Sequence, residues 1–191
     1  MNKRRSPEQY RRVDLLLFAL MLLVFESMIL LASSRWFPAE PYTVSLVPAV
    51  VAIVLVRWGP WAAVHALLGG AVVCLHLHAS ASQFLIYGLG NLFPLLLLPL
   101  LARWRKAGGV WKESLPALAF GLAVLLLMQG GRAAVSLLTG ADPSLAAGYF
   151  TTEAVTDLFT LVILWIVRRL DGMLEDQLHY LARVQAEQSD S

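Results

Sequence analysis

Six long apolar runs, at residues 13–33, 43–58, 61–80, 83–102, 115–139 and 148–167, occupy most of this chain and dictate what it can fold into. A lipid hydrocarbon core about 30 Å thick takes about 20 helical residues to cross. Backbone polar groups find no water there, so apolar runs of this length predict transmembrane helices. The second run is the shortest and contains Pro48. Only Gly59 and Pro60 separate it from the third, which predicts a tight helical hairpin. Charged residues are 15% of the chain, against about a quarter in a soluble domain, too few to cover a globular surface in water. The expected fold is all-α, a multi-pass membrane domain of about six helices at 13–169. A basic leader, 1–12, precedes it and an amphipathic helix and tail, 170–191, follow. In that tail Leu170, Met173, Leu174, Leu178 and Leu181 recur at helical spacing.

Basic residues cluster outside the runs, at Lys3, Arg4, Arg5, Arg11 and Arg12, at Arg57, at Arg103, Arg105, Lys106 and Lys112, and at Arg168 and Arg169. Lysine and arginine in short loops mark the cytoplasmic side. With both termini inside, the basic segments all fall on that side and Arg35 is the one basic residue outside. Trp36, Tyr42, Trp58, Trp61, Trp104 and Tyr149 stand at run edges, as interfacial belts require. The first run exceeds the roughly 7–15 residues of a signal-peptide core, so it is expected to stay as a span. The charge pattern is topological and points to no nucleic-acid partner. The single cysteine, Cys74, excludes an internal disulfide.

Polar side chains inside a span are costly and normally face a cavity, a partner or each other. At 1.5 Å per residue, Glu26 and Arg132 lie roughly 20 and 25 Å from the cytoplasmic face. Glu153 and Asp157 lie roughly 7 and 13 Å below the outer face by the same rise. Span four carries Gln83, Tyr87 and Asn91 at steps of four. Span five carries Gln129, Arg132 and Ser136, and span six carries Glu153, Thr156, Asp157 and Thr160. Three consecutive helices thus each present one polar stripe in the outer half, which predicts a shared pocket. Arg132 would pair with Glu153 or Asp157, and Glu26 with the surplus carboxylate would leave the site acidic. A plain ion pair orienting two helices is the alternative. Gly69, Gly70, Gly88 and Gly90 are expected at close helix contacts.

No HExxH, GxSxG or Gly-rich phosphate loop is present, so no enzyme signature, cofactor or nucleotide site is expected. His76 and His78 lack the further ligands a metal needs. An intramembrane enzyme would have to draw on Glu26, His65 and His76, which lie at different depths.

Against this background the chain resembles the substrate-binding S-component of an energy-coupling-factor (ECF) vitamin transporter. The resemblance lies in the six-span plan and in the stretch from Val56 to Gly70, Val-Arg-Trp-Gly-Pro-Trp-Ala-Ala-Val-His-Ala-Leu-Leu-Gly-Gly. It extends to Thr-Thr-Glu-Ala-Val-Thr-Asp-Leu-Phe-Thr at 151–160, followed by Arg-Arg-Leu-Asp-Gly. It implies a bacterial plasma-membrane protein that captures a vitamin-like molecule and docks on a transmembrane coupling subunit driven by ATPases. It also implies that Gln83, Tyr87, Asn91, Gln129, Arg132, Glu153 and Asp157 contact the ligand, with Glu26 beside them. Many such proteins carry two alanines four apart in the first span. Here Ala19 is followed four later by Leu23, which moves the expected close contact to the Ala- and Gly-rich third span. A rod-shape-determining (MreD-like) membrane scaffold of similar length and span count is the competing reading.

Overall fold

A computed structural model describes residues 6–39, 42, 44–106 and 114–189. Lys3, Arg4, Arg5, Thr43 and Lys112 lie outside the described residues. Among those described, the chain is helical: α1 (Pro7–Trp36), α2 (Val47–Trp58), α3 (Ala62–His76), α4 (Ala81–Gly90), α5 (Leu98–Lys106), α6 (Ser114–Leu138), α7 (Pro143–Thr151), α8 (Ala154–Val167) and α9 (Gln177–Ser189). Single 3-10 segments, Gly59–Trp61 and Phe93–Leu97, join α2 to α3 and precede α5.

Among the described residues, five segments are long and apolar enough to cross a membrane, the second being Val47–His76. That segment doubles back on itself. Gly59 adopts φ +59°, a conformation only glycine takes without strain, and Pro60 opens the turn that follows. As a result, a Cβ added at Gly69 would lie 2.6 Å from the methyls of Val47, at the far end of α2. With the two arms of that hairpin taken separately, the described residues form six apolar legs.

α1 begins where its residues direct. Ser6 accepts from the Gln9 backbone N–H, Gln9 returns a side-chain acceptor to Ser6, and Pro7 takes the first-turn position that tolerates it. Only Phe18, Leu22 and Glu26 are buried along its 30 residues. Leu16, Leu17, Leu20, Val24, Phe25, Met28 and Leu31 all face outward. An exposed apolar wall of this extent is the surface of a membrane protein, where lipid covers what water would not.

α2 is the opposite case: all 12 of its residues are buried. Its apolar, largely β-branched sequence packs against α1, α3, α6 and α8. Pro48 does not break it, because it sits in the first turn where no intrahelical N–H is needed. Asp14, Phe18, Leu22 and Glu26 repeat every four residues and form one seam of α1. The 12 steps from Asp14 to Glu26 span about 18 Å, the length of α2 itself. The two carboxylates grip the two ends of that helix. At one end Asp14 accepts from Arg57 Nε and Nη2, each at 2.9 Å, and from Trp58 Nε1 at 2.5 Å. At the other, Glu26 accepts from Ser45 Oγ at 2.7 Å and from the Leu46 N–H at 2.6 Å. Leu46 at the helix start has no side chain able to cap α2; Glu26 and Ser45, whose Oγ accepts from the Val47 N–H at 3.2 Å, take that role.

Glycines set how closely the other helices meet. A Cβ at Gly70 would stand 3.0 Å from the Tyr87 carbonyl, one at Gly90 would stand 2.6 Å from the Arg132 nitrogen, and one at Gly131 would stand 2.5 Å from the Gly90 carbonyl. Gly88 makes no such approach; its nearest neighbour is a Leu67 methyl at 3.9 Å. Since backbone cannot step aside as a side chain can, Gly131→Ala should force α4 from α6. The expected loss is about 1–3 kcal/mol, read as a lower unfolding midpoint in detergent.

The final segment departs from the expected tail helix. The periodic leucines suggest a helix from residue 170, but the chain turns at Gly172, φ +69°, and α9 starts only at Gln177. Between them Leu174 joins the core and Met173 packs against it. Arg57 Nη1 donates to the Gly172 carbonyl at 2.6 Å, as does Gln177 Nε2. Residues 172–174 thus belong to the membrane domain's packing.

Candidate functional site

Arg132, on α6, is 3% exposed and organises the site. Its Nε donates to Asn91 Oδ1 at 2.7 Å, and Asn91 in turn donates through Nδ2 to the Ala66 carbonyl at 3.2 Å. Nη1 pairs with Glu153 Oε1. The guanidinium carbon lies 4.7 Å from the centre of the Tyr87 ring. Tyr149 meets that ring edge-on at 6.2 Å. The contact is possible because Gly90 and Gly131 bring the two helix backbones together at this level.

Two helix interruptions present the partners. α4 ends at Gly90, so Asn91 leads out of the helix as its cap residue, ahead of Pro94. α7 ends at Thr151, and Glu153 occupies the junction before α8 with φ −97° and ψ 8°. A carboxylate at a break projects with more freedom than one inside a helix. Buried ion pairs recover their desolvation cost only with such added hydrogen bonds.

Above this layer lies a cavity of about 330 Å³. Its polar wall is Glu26, Ser45, Tyr87, Arg132 and Glu153, and its apolar wall includes Leu30, Phe37, Val73 and Leu77. Tyr42, Ser33, Ser34, Pro38 and Val44 complete the lining. α1, the segment that follows it, α3, α4, α6 and the α7–α8 junction therefore meet there. The volume is at the small end of ligand pockets.

The expected site residues divide. Tyr87, Arg132, Glu153 and Glu26 line the cavity, and Asn91 stands behind Arg132. Gln129 is buried beside this layer, donating to Asp157 Oδ1 at 2.7 Å; neither lines the cavity. Asp157 is therefore not the partner of Arg132. Gln83 departs from expectation. It sits three residues past Ser80 and completes the capping box of α4, exposed and apart from Arg132. Its four-residue step from Tyr87 reflected helix geometry, but the helix start claimed it first. Glu26 is likewise a helix cap as well as a wall of the cavity, which meets much of its charge locally.

His65 is buried and its ring nitrogens lie 3.3 and 3.1 Å from the carbonyls of Trp61 and Leu15. Leu15 and Glu26 stand about 16 Å apart along α1, so His65 and Glu26 form no catalytic pair. His76 Nδ1 lies 3.0 Å from its own helix's Val72 carbonyl.

Sequence reasoning missed the Asp14–Arg57–Trp58 cluster. Arg57 reads as a loop charge beside Gly59-Pro60, yet its side chain is 8% exposed. The available signal was Asp14 itself, an acid four residues before Phe18 on the seam that ends in Glu26. No known protein family, curated protein or solved structure matches this chain.

Proposed function

We propose that this protein captures a small molecule in the cavity bounded by Glu26, Tyr87, Arg132 and Glu153. On this reading it serves a membrane importer as an ECF-type S-component, with a transmembrane coupling subunit as its partner. The observation that carries the reading is convergence. Side chains from α1, the segment that follows it, α3, α4, α6 and the α7–α8 junction line one small cavity with a charged pole and an apolar body. A helix-orienting ion pair has no need of an open space beside it. Both termini are placed inside by the loop charges, which puts the cavity toward the outer face of the plasma membrane. The groups then have distinct roles. Arg132 and Glu153 orient the ligand's polar end, Asn91 fixes the guanidinium, and Phe37, Val73 and Leu77 give apolar contact.

The protein, purified in detergent from cells grown in vitamin-rich medium and then denatured, should release one small molecule near 1:1 by mass spectrometry. Arg132→Lys, which keeps charge but loses the planar fork, should reduce that occupancy at least about tenfold. An empty protein that binds nothing from a vitamin panel would rule out capture and favour a scaffold.

A further inference from the structure

A second space lies on the outer surface of the helix bundle, apart from the cavity at Arg132. α1 and α8 each pack on α2 with little direct contact between them. The slot left between the two has a volume of about 830 Å³. Met21 and Phe25 of α1 form one wall, Phe159 and Ile163 of α8 the other, and Ala49 and Ile53 of α2 the floor. It follows α1 from Phe18 to Arg35, about 25 Å at 1.5 Å per residue. With the termini inside, Arg35 and Trp36 stand at its outer end. Met173, whose carbonyl accepts from Arg57, stands at its cytoplasmic end.

The slot is apolar except at its outer mouth. Among the described residues Arg35 is the one charged side chain along it, and Arg35 makes no hydrogen bond or ion pair there. The residue is exposed, so its stem can line the slot while the guanidinium reaches the interface. A basic residue on the outer side also runs against the charge bias that orients the chain. Topology does not account for it; an anion held at the mouth does.

Size separates the two occupants a slot in a bilayer could take, a partner's helix and a hydrocarbon chain. A helix 10–12 Å across and about 25 Å long fills roughly 2,000 Å³ or more, over twice the space present. Spread over about 25 Å, the volume corresponds to a width of roughly 6–7 Å. A hydrocarbon chain, whose carbons meet their neighbours at about 3.5–4.0 Å, fits that width. We propose that the slot binds one glycerophospholipid of the outer leaflet, with an acyl chain laid along α2 and an anionic headgroup on Arg35. Trp36 beside it suits the headgroup level. The slot shares no lining residue with the Arg132 cavity, so the proposal stands whether or not that cavity captures a ligand.

The test uses full-length protein stripped of lipid in detergent and mixed with phosphatidylglycerol and phosphatidylethanolamine of identical chains. Bound lipid is counted by native mass spectrometry. Phosphatidylglycerol should bind near 1:1 and at least about fivefold in preference, the factor one basic residue supplies towards anionic lipid. Arg35→Gln, at an exposed position, should abolish that preference. Ala32→Phe, which narrows the slot, should lower binding of both lipids several-fold. Should Ala32→Phe fail to fold, Arg35→Gln decides alone. Equal binding of the two lipids, or a preference that survives Arg35→Gln, overturns the proposal. A photoreactive side chain in place of Met28, an exposed residue of the slot, should link to phospholipid in native membranes. Linkage to a protein instead overturns the proposal in favour of a docked partner.

Discussion

Glu153→Leu should lower stability by about 3–5 kcal/mol, because it leaves the Arg132 guanidinium 3% exposed without its counter-charge. At 3% exposure the stranded cation gains little solvation even from the cavity beside it. Replacing both partners, with Arg132→Met and Glu153→Leu together, should restore all but about 1–3 kcal/mol. The residue of the loss falls on Asn91, whose Oδ1 then lacks the donor it accepts from. Unfolding midpoints of the two single variants and the double variant, in one detergent, give the coupling directly. Ligand occupancy should not follow stability: the double variant should be stable and empty. Recovery of occupancy along with stability would mean that the pair only orients helices.

The second large effect lies at the opposite end of the bundle. Arg57→Leu removes two of the three donors to Asp14, one of the two to the Gly172 carbonyl, and the guanidinium that stands 5.6 Å from the Phe18 ring. The expected loss is about 3 kcal/mol, at the lower end for a buried pair because the Asp14 side chain is 21% exposed. Trp58 still donates to Asp14 and Gln177 still donates to Gly172, so the fold should survive. The local consequence is specific. Residues 172–176 should lose their hold on the membrane domain, and limited proteolysis should cut there several-fold faster. Ligand affinity should change by less than about threefold, since Glu26 holds the cavity end of α2 independently.

These two predictions separate what the chain's helices share. α2 is gripped at each end by an acid on one seam of α1, and only the grip at Glu26 borders the cavity. The buried face of α1 is otherwise just Phe18 and Leu22. Its attachment therefore combines the two polar clamps on α2 with apolar packing that includes Leu15 and Met21 and a long contact with α3. That arrangement suits a helix whose other faces meet lipid, where no hydrophobic effect drives helices together.

The sequence by itself determined the class of fold. Apolar runs with almost no charge leave helices in lipid as the only way to satisfy the backbone. The hairpin at Gly59-Pro60, the close contacts at Gly69, Gly70 and Gly90, and the grouping of Tyr87, Asn91, Arg132 and Glu153 were all legible. Each of these depends on spacing within a helix or on a residue that permits only one geometry. What tertiary structure decided was which acid meets which base. Asp157 and Glu153 stand four residues apart on one stripe, and periodicity cannot choose between them. The break at Glu153 turns that side chain to Arg132, while Asp157 falls to Gln129. Gln83 reads as a fourth-step neighbour of Tyr87, but the local capping bond to Ser80 holds it at the helix end. Arg57 reads as a loop charge, and only the antiparallel seating of α1 on α2 brings Asp14 to it across 43 residues. Local periodicity fixes faces; pairing across faces depends on how far each helix slides and where it breaks, and that is settled only when the backbones pack.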